Sequence, residues 1–252
     1  MTKRILQIVV VVGILATLVV DGIVHAAGND ARDLYAAQEF DKAIEACRGR
    51  TDHESVVVKA LAYAERSALY KQKEDKKELT ALAKSLKGTL GAKDLQMLAE
   101  LGAISANPNG ADLAADLMDD ILDQVSSTAD MDLVLETIKA GPGPKATASA
   151  LKALHRHLSQ VRKYVDAGGT MPDSERMLFT RADMLELLVT LLDGKETKSA
   201  AQKALVAIEE PALAALEAKG GAEAMDTARK IRDDMAGREK KHPGSAWYGK
   251  PD

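Results

Sequence analysis

Apolar side chains recur along this sequence at helical spacing, most clearly over residues 198–218. They fall at i, i+3, i+4 and i+7 on one helix face, at Ala201, Ala204, Leu205 and Ile208. Pro211 ends this helix and fits the first turn of the next, where its missing N–H is not needed. The second helix has its own apolar stripe, formed by Ala212, Leu213, Ala215 and Leu216. Such short helices bury their alanine-rich faces only by stacking on neighbours, which indicates a helical repeat.

The rest of the chain has the same helical patterning and no strand pattern. We predict helices near residues 53–73, 79–86, 92–101, 111–125, 129–139, 145–166 and 222–235. One further periodic helix is expected to carry Leu178, Ala182, Leu185, Val189 and Leu192. Charged or glycine- and proline-rich connections separate these helices, at 73–77, 107–110, 141–144 and 168–173.

The predicted fold is all-α, an irregular α-solenoid of stacked helical hairpins. An irregular all-helical domain is the alternative, because helix lengths vary and the period is not constant. We divide the chain into an N-terminal signal segment, 1–26, an N-terminal helical repeat region, 27–140, and a C-terminal helical region, 141–237. A basic, irregular tail, 238–252, completes it.

Two segments resemble known repeat families. Ala204-Leu205-Val206-Ala207-Ile208, followed by Glu210-Pro211-Ala212-Leu213-Ala214-Ala215-Leu216, resembles the HEAT repeats of bacterial solenoid proteins. Leu34-Tyr35, followed by Glu39-Phe40-Asp41-Lys42-Ala43-Ile44-Glu45, is similar to the turn and second helix of a tetratricopeptide unit, with Gln38 in place of the usual small residue. Both resemblances imply a helical scaffold that binds partners along a concave face.

The N-terminal segment has the pattern of an export signal. Lys3 and Arg4 precede the apolar run 5–20, and Val24-His25-Ala26 satisfies the small-residue rule for signal-peptidase cleavage. As a helix this run reaches roughly 24 Å, short of the ~30 Å bilayer core. We predict a cleaved signal peptide, with an uncleaved membrane anchor through residues 5–20 as the alternative. In both cases the remaining chain is expected outside the cytoplasm, as in a periplasmic protein.

The charge balance argues against nucleic-acid binding. The net charge is −4, and only 3% of residues are aromatic, so clustered cations for phosphates and rings for stacking bases are both scarce. The single cysteine, Cys47, forms no intramolecular disulfide and shares a helix face with Ala43 and Ile44. We predict that its thiol is buried, with pairing to another chain as the alternative.

No catalytic or metal-binding motif is present in the sequence. His155 and His157 lie two residues apart on a predicted helix, so they point about 200° apart rather than toward one metal ion. We expect both histidines to lie on a basic face of this helix. We predict a non-enzymatic protein without cofactor or metal. The alternative is a helical ligand carrier or enzyme whose site is assembled from scattered residues such as His155, Arg156, Tyr164 and Asp183.

The densest charge cluster is acidic and lies along one predicted helix. Its members are Asp112, Asp116, Asp119, Asp120 and Asp123. Helical spacing supplies no backbone ligands for calcium, so a solvated face is expected. The basic helix 145–163 either faces this cluster or, like it, steers a partner of opposite charge.

The tail contains the only tryptophan, Trp247, next to Tyr248. This pair is expected to pack on the protein's own surface, to be disordered, or to anchor a partner. The predicted function is an exported helical-repeat scaffold that binds a protein or peptide, with the acidic cluster and the Trp247–Tyr248 pair as candidate contacts. A membrane-tethered assembly or spacer factor is the alternative. The sequence does not determine the oligomeric state.

Overall fold

The computed structural model describes residues 31–70 and 73–243. All regular secondary structure in these ranges is helical, which confirms the all-α prediction. Within the same ranges, no helix combines the length and hydropathy needed to cross a bilayer. The predicted signal segment, 1–26, and the pair Trp247 and Tyr248 lie outside the described residues.

The chain divides into two units. Unit 1 holds the described residues up to Leu86 together with Ile104–Gly110, and unit 2 holds Lys87–Ala103 and the described residues from Ala111 onward. The helices of unit 1 are α1 (31–36), α2 (Phe40–Ala46), α3 (His53–Tyr70) and α4 (Lys73–Leu86).

Unit 2 begins with a 3₁₀ turn, Ala92–Asp94, and contains most of the helices. They are α5 (Leu95–Ala103), α6 (Pro108–Leu122, whose first turn belongs to unit 1), α7 (Thr128–Lys139), α8 (Pro144–Asp166), α9 (Asp173–Phe179), α10 (Ala182–Thr190), α11 (Lys198–Ile208), α12 (Glu210–Lys219) and α13 (Gly221–Lys241). A second 3₁₀ turn, Leu191–Asp193, follows α10. The predicted division at 140/141 falls at the glycine- and proline-rich corner between α7 and α8. Whether the helices on its two sides are separate repeat regions stays a prediction.

In unit 1, a turn at residues 37–39 joins α1 to α2. Gln38 occupies the turn with φ of 62°, in the left-handed region where small residues are favoured. The rings of Tyr35 and Phe40 pack 5.9 Å apart across it. Arg66 on α3 joins the neighbouring helices, because its guanidinium contacts Asp75 of α4 at 2.5 Å and Asp41 of α2 at 2.5 Å. Ion pairs therefore reinforce the packing of α3 against both neighbours.

A buried carboxylate holds the loop before α6. Glu65 Oε1 accepts hydrogen bonds from the Tyr35 hydroxyl at 3.2 Å, the Ala106 amide at 3.1 Å and the Ser105 hydroxyl. Burial is the main reason that the pKa of Tyr35 is raised, so its hydroxyl stays a donor. Gly110 lies against this cluster: a Cβ there would collide with the Ser105 hydroxyl and Glu65 Oε1, and would lie 2.9 Å from the Tyr35 oxygen. Any larger residue at this position would displace these hydrogen-bonded side chains.

Replacing Gly110 by alanine tests this packing, because helix propensity predicts a higher free energy of unfolding and crowding predicts a lower one. Alanine alone would stabilise a helix by about 1 kcal/mol relative to glycine. We expect instead a net loss of about 1–3 kcal/mol in the free energy of unfolding, as in other overpacked sites. Denaturant titration followed by the helical circular-dichroism signal measures the change.

The matched control for this substitution is Gly91→Ala. Gly91 has extended backbone angles, and a Cβ there meets nothing within 4 Å. We expect a change within about 0.5 kcal/mol. A stabilised Gly110→Ala protein would contradict the packing around Glu65.

Cys47 is buried at 1% exposure, which confirms the prediction from its helix face. Burial raises the pKa of its thiol to about 11. We expect alkylation of the native protein near pH 8 to be more than about 100-fold slower than that of the urea-unfolded chain. Mass spectrometry of iodoacetamide adducts over time measures both rates, and equal rates would show that the thiol is exposed.

Unit 2 is organised around α11. α11 packs against α8, α10, α12 and α13. The predicted face of this helix, Ala201, Ala204, Leu205 and Ile208, is fully buried, together with Ala207. On α12, Ala212 and Leu216 are buried, whereas Leu213 and Ala215 are only half-buried. The predicted face of α11 is therefore buried, and Ala207 extends the buried surface beyond it.

Some predicted boundaries are wrong. Residues 73–77 form the first turn of α4 rather than a connection, and the turn signal at 107–110 extends into α6, which begins at Pro108. The expected single helix through Leu178 and Leu192 is broken between α9 and α10. Arg181 stands at this break with extended angles, and its guanidinium contacts Asp132 at 2.7 Å and Asp183 at 3.0 Å. Of the predicted apolar stripe, Leu178, Leu185, Val189 and Leu192 are buried, whereas Ala182 is exposed just after the break.

The predicted irregular tail begins later than expected. α13 continues to Lys241, so residues 238–241 are helical. Arg238 lies at the start of this extension, and its buried side chain contacts acidic groups of α8 and of the α11–α12 corner.

Candidate functional site

The acidic cluster of α6 is engaged within unit 2. Lys145, at the start of α8, contacts Asp116 at 2.9 Å and Asp112 at 3.3 Å. Arg156 of α8 contacts Asp123 at 3.0 Å and also donates to the Leu122 carbonyl at the end of α6. This arrangement confirms the alternative in which the basic helix faces the acidic one.

The remaining members of this cluster differ in their contacts. Lys87 lies 3.2 Å from Asp120, whereas no ion pair of Asp119 is found among the described residues. The paired aspartates stay exposed at the protein surface, so each pair contributes about 1 kcal/mol or less. Whether the cluster contacts a partner stays a prediction.

The sequence did not reveal a second charge network, which joins α8 and α13. Arg162 of α8 contacts Asp234 of α13 at 2.5 Å, and Arg238 of α13 contacts Asp166 of α8 through Nε at 2.7 Å. Both pairs advance by four residues on each helix, so the two helices run in the same direction here. Each helix therefore supplies one arginine and one aspartate.

Glu209, at the corner between α11 and α12, joins the two pairs. Its carboxylate lies 2.8 Å from Arg162 Nη2, and Arg238 Nη1 donates to it at 3.1 Å. Burial raises the pKa of Glu209, and the positive charges of Arg162 and Arg238 offset this rise only in part. The backbone of Glu209 has φ of 67° and ψ of −129°, a conformation that normally requires glycine. The surrounding contacts hold a charged side chain where glycine would be less strained.

This network forms one wall of an open groove between α8, α11 and α13, here called the α8–α13 groove. Two adjoining cavities of about 440 and 370 Å³ make up the groove and share Ser159, Arg162 and Asp234. Their other lining residues are His155, Lys163, Asp166, Gln202, Lys203, Val206, Ala207, Lys230, Asp233, Gly237, Arg238, Lys241 and His242. The lining extends along α8 from His155 to Asp166, roughly 16 Å at the rise of an α-helix.

His157 is buried, so the prediction that it decorates a basic face is wrong. Its Nε2 lies 2.9 Å from Glu175 Oε2, and the Thr128 hydroxyl donates to the other oxygen at 2.5 Å. Burial alone would raise the pKa of Glu175, but the hydrogen bonds from His157 and Thr128 outweigh it and hold that pKa below its ordinary value. The contact therefore favours the folded state above the ordinary glutamate pKa and weakens as the pH falls.

The residues of the alternative scattered site have separate surroundings. His155 lies in the α8–α13 groove, where burial and the charge of Lys203 lower its pKa. Arg156 is engaged by α6, Tyr164 is exposed, and Asp183 contacts Arg181 and Lys139 at the surface. Only His155 of this set lines the groove.

A second open cavity lies between α10 and α12, with a volume of about 550 Å³. Its floor is formed by small and apolar side chains, including Leu185, Val189, Ala214 and Ala215. Nothing in the structure indicates what covers it. Over residues 31–70 and 73–243, no group of histidine, cysteine, aspartate and glutamate is arranged to hold a metal ion.

The chain has no match among protein-family models, curated proteins or solved structures. Its function is therefore inferred from its own geometry.

Arg238 is the side chain on which the charge network most depends. We expect Arg238→Met, which keeps the apolar stem, to lower the free energy of unfolding by about 3 kcal/mol or more, because Glu209 and Asp166 lose a buried counter-ion. Arg229→Met on the same helix is the control, since Arg229 is 67% exposed and Arg238 is 7% exposed. Denaturant titration measures the free energy of unfolding of both variants. Equal losses of this free energy would show that the charge network contributes little to stability.

Proposed function

We propose that the protein is an exported, non-enzymatic helical scaffold that binds a protein or peptide partner in the α8–α13 groove. In this proposal the stacked helices form an irregular, HEAT-like α-solenoid. The observation that carries it is the groove itself, which is open, extends roughly 16 Å and is bordered by three helices. At about 3.3 Å per residue, that length accommodates about five residues of an extended polypeptide.

The chemistry of the groove supports binding rather than catalysis. Its arginines are already bonded to carboxylates, so they border the groove as fixed polar groups. The buried His157–Glu175 pair, which resembles part of a catalytic arrangement, does not line the groove. Ser159 does line it, and its hydroxyl is 3.5 Å from His155 Nε2, at the limit of a hydrogen bond. This distance is longer than the roughly 2.6–3.2 Å that is usual between a nucleophile and its base.

Peptide selection tests this proposal and does not require the natural partner to be identified. Random peptides of about twelve residues, longer than the groove, are panned against the purified protein, and enriched peptides are measured by calorimetry. Because Ser159 lines both cavities, we expect Ser159→Trp to fill the groove and weaken these peptides at least about tenfold, or about 1.4 kcal/mol.

The control is Ser85→Trp, which places the same ring on an exposed position of α4 in unit 1. It should leave the affinity of the enriched peptides unchanged. The proposal fails if no peptide is enriched, or if enriched peptides bind the Ser159→Trp protein as tightly as the unaltered chain.

A further inference from the structure

The lining of the α8–α13 groove is positively charged, whereas the chain as a whole is negatively charged. The protein carries a net charge of −4, yet cationic side chains outnumber anionic ones along the groove. The cations are Arg162, Lys163, Lys203, Lys230, Arg238 and Lys241, and the anions are Asp166, Asp233 and Asp234. Glu209, buried behind the wall, adds one more acidic group and still leaves a positive excess.

This excess resides on side chains that the fold does not use. The charges of Arg162 and Arg238 are compensated by three carboxylates, those of Glu209, Asp166 and Asp234. Lys230 lies 2.9 Å from Asp226. Lys163, Lys203 and Lys241 are exposed and form no ion pair within residues 31–70 and 73–243. Burial is the main reason that the pKa of His155 is lowered, and the positive charge of Lys203 lowers it further.

We propose that the α8–α13 groove takes an acidic segment of a partner polypeptide, whose carboxylates pair with Lys163, Lys203 and Lys241. This inference rests on the proposed function and specifies the chemistry of the partner. Opposite charges steer such an encounter and select the partner. The interleaved Asp166, Asp233 and Asp234 favour spaced carboxylates over a continuous phosphate backbone. The lining also contains no phenylalanine, tyrosine or tryptophan ring on which nucleic-acid bases could stack.

Fluorescence anisotropy of labelled peptides with the full chain tests this inference. The probes are an acidic peptide alternating glutamate and serine, a neutral peptide with glutamine in place of glutamate, a basic peptide with lysine there, and a single-stranded oligonucleotide. At about 0.02 M salt we expect the acidic peptide to bind at least tenfold more tightly than each other probe, and to weaken steeply as salt rises to about 0.3 M.

Two triple variants with the same change in net charge locate the site. One carries Lys163→Glu, Lys203→Glu and Lys241→Glu in the groove. The other carries Lys76→Glu, Lys77→Glu and Lys93→Glu, at exposed lysines that do not line it. We expect the groove variant to lose at least tenfold in affinity for the acidic peptide and the control variant less than about twofold. Circular dichroism confirms that both variants keep their helices.

The possible outcomes separate this inference from the proposed function. Equal losses of affinity for the acidic peptide in the two variants would show general charge attraction, and would overturn the inference that the groove is the binding site. Tighter binding of the oligonucleotide would overturn the choice of a polypeptide. Binding of the neutral or basic peptide without a preference for the acidic one would overturn the acidic partner and leave the scaffold function intact. If no peptide binds and peptide selection also fails, the scaffold function fails as well.

Discussion

The close approach of helices to the alanine-rich surface of α11 is the constraint on which unit 2 depends. Helix axes separate according to the side chains between them, and alanine permits the closest spacing apart from glycine. Ala201, Ala204 and Ala207 are buried on this helix, so α8 and α13 can both pack against it. That spacing brings Arg162 and Arg238 within reach of one carboxylate at the end of α11. Larger residues on α11 would move these helices outward and separate the charges.

Both units use a buried glutamate to hold an irregular segment of chain. Glu65 satisfies the amides of the loop before α6, whereas Glu209 occupies the corner between two helices and binds two arginines. Burying a carboxylate is costly unless donors or cations surround it, so each glutamate stabilises only one arrangement of its neighbours. The strained backbone of Glu209 shows how strongly those neighbours constrain it. Glycine would suit that backbone better but would leave both arginines with fewer acidic partners.

Local patterns in the sequence predicted the helices, the buried face of α11 and the burial of Cys47, because helical periodicity reports directly which side of a helix faces the core. The contact between Lys145 and Asp116 was also foreseeable, since two oppositely charged helices were apparent. The network of Arg162, Glu209 and Arg238 was not, because Asp166 and Arg238 are 72 residues apart and each resembles an ordinary surface charge. The turn signal at 107–110 misplaced the start of α6 because prolines and asparagines also begin helices. The break at Arg181 depends on an ion pair with Asp132, which no local pattern reveals.

The distribution of charge between two surfaces explains why the strongest motif in the sequence is not the strongest candidate site in the structure. The aspartates of α6 form the densest cluster, yet Lys145, Arg156 and Lys87 compensate most of them from within the chain. The lysines along the α8–α13 groove come from three helices that are distant in sequence, so no cluster is visible until the chain folds. A partner gains most from charges that the protein has not already neutralised, because exchanging one ion pair for another at a surface changes little. Uncompensated charge in a concave surface is therefore a better guide to a binding face than charge density along the sequence.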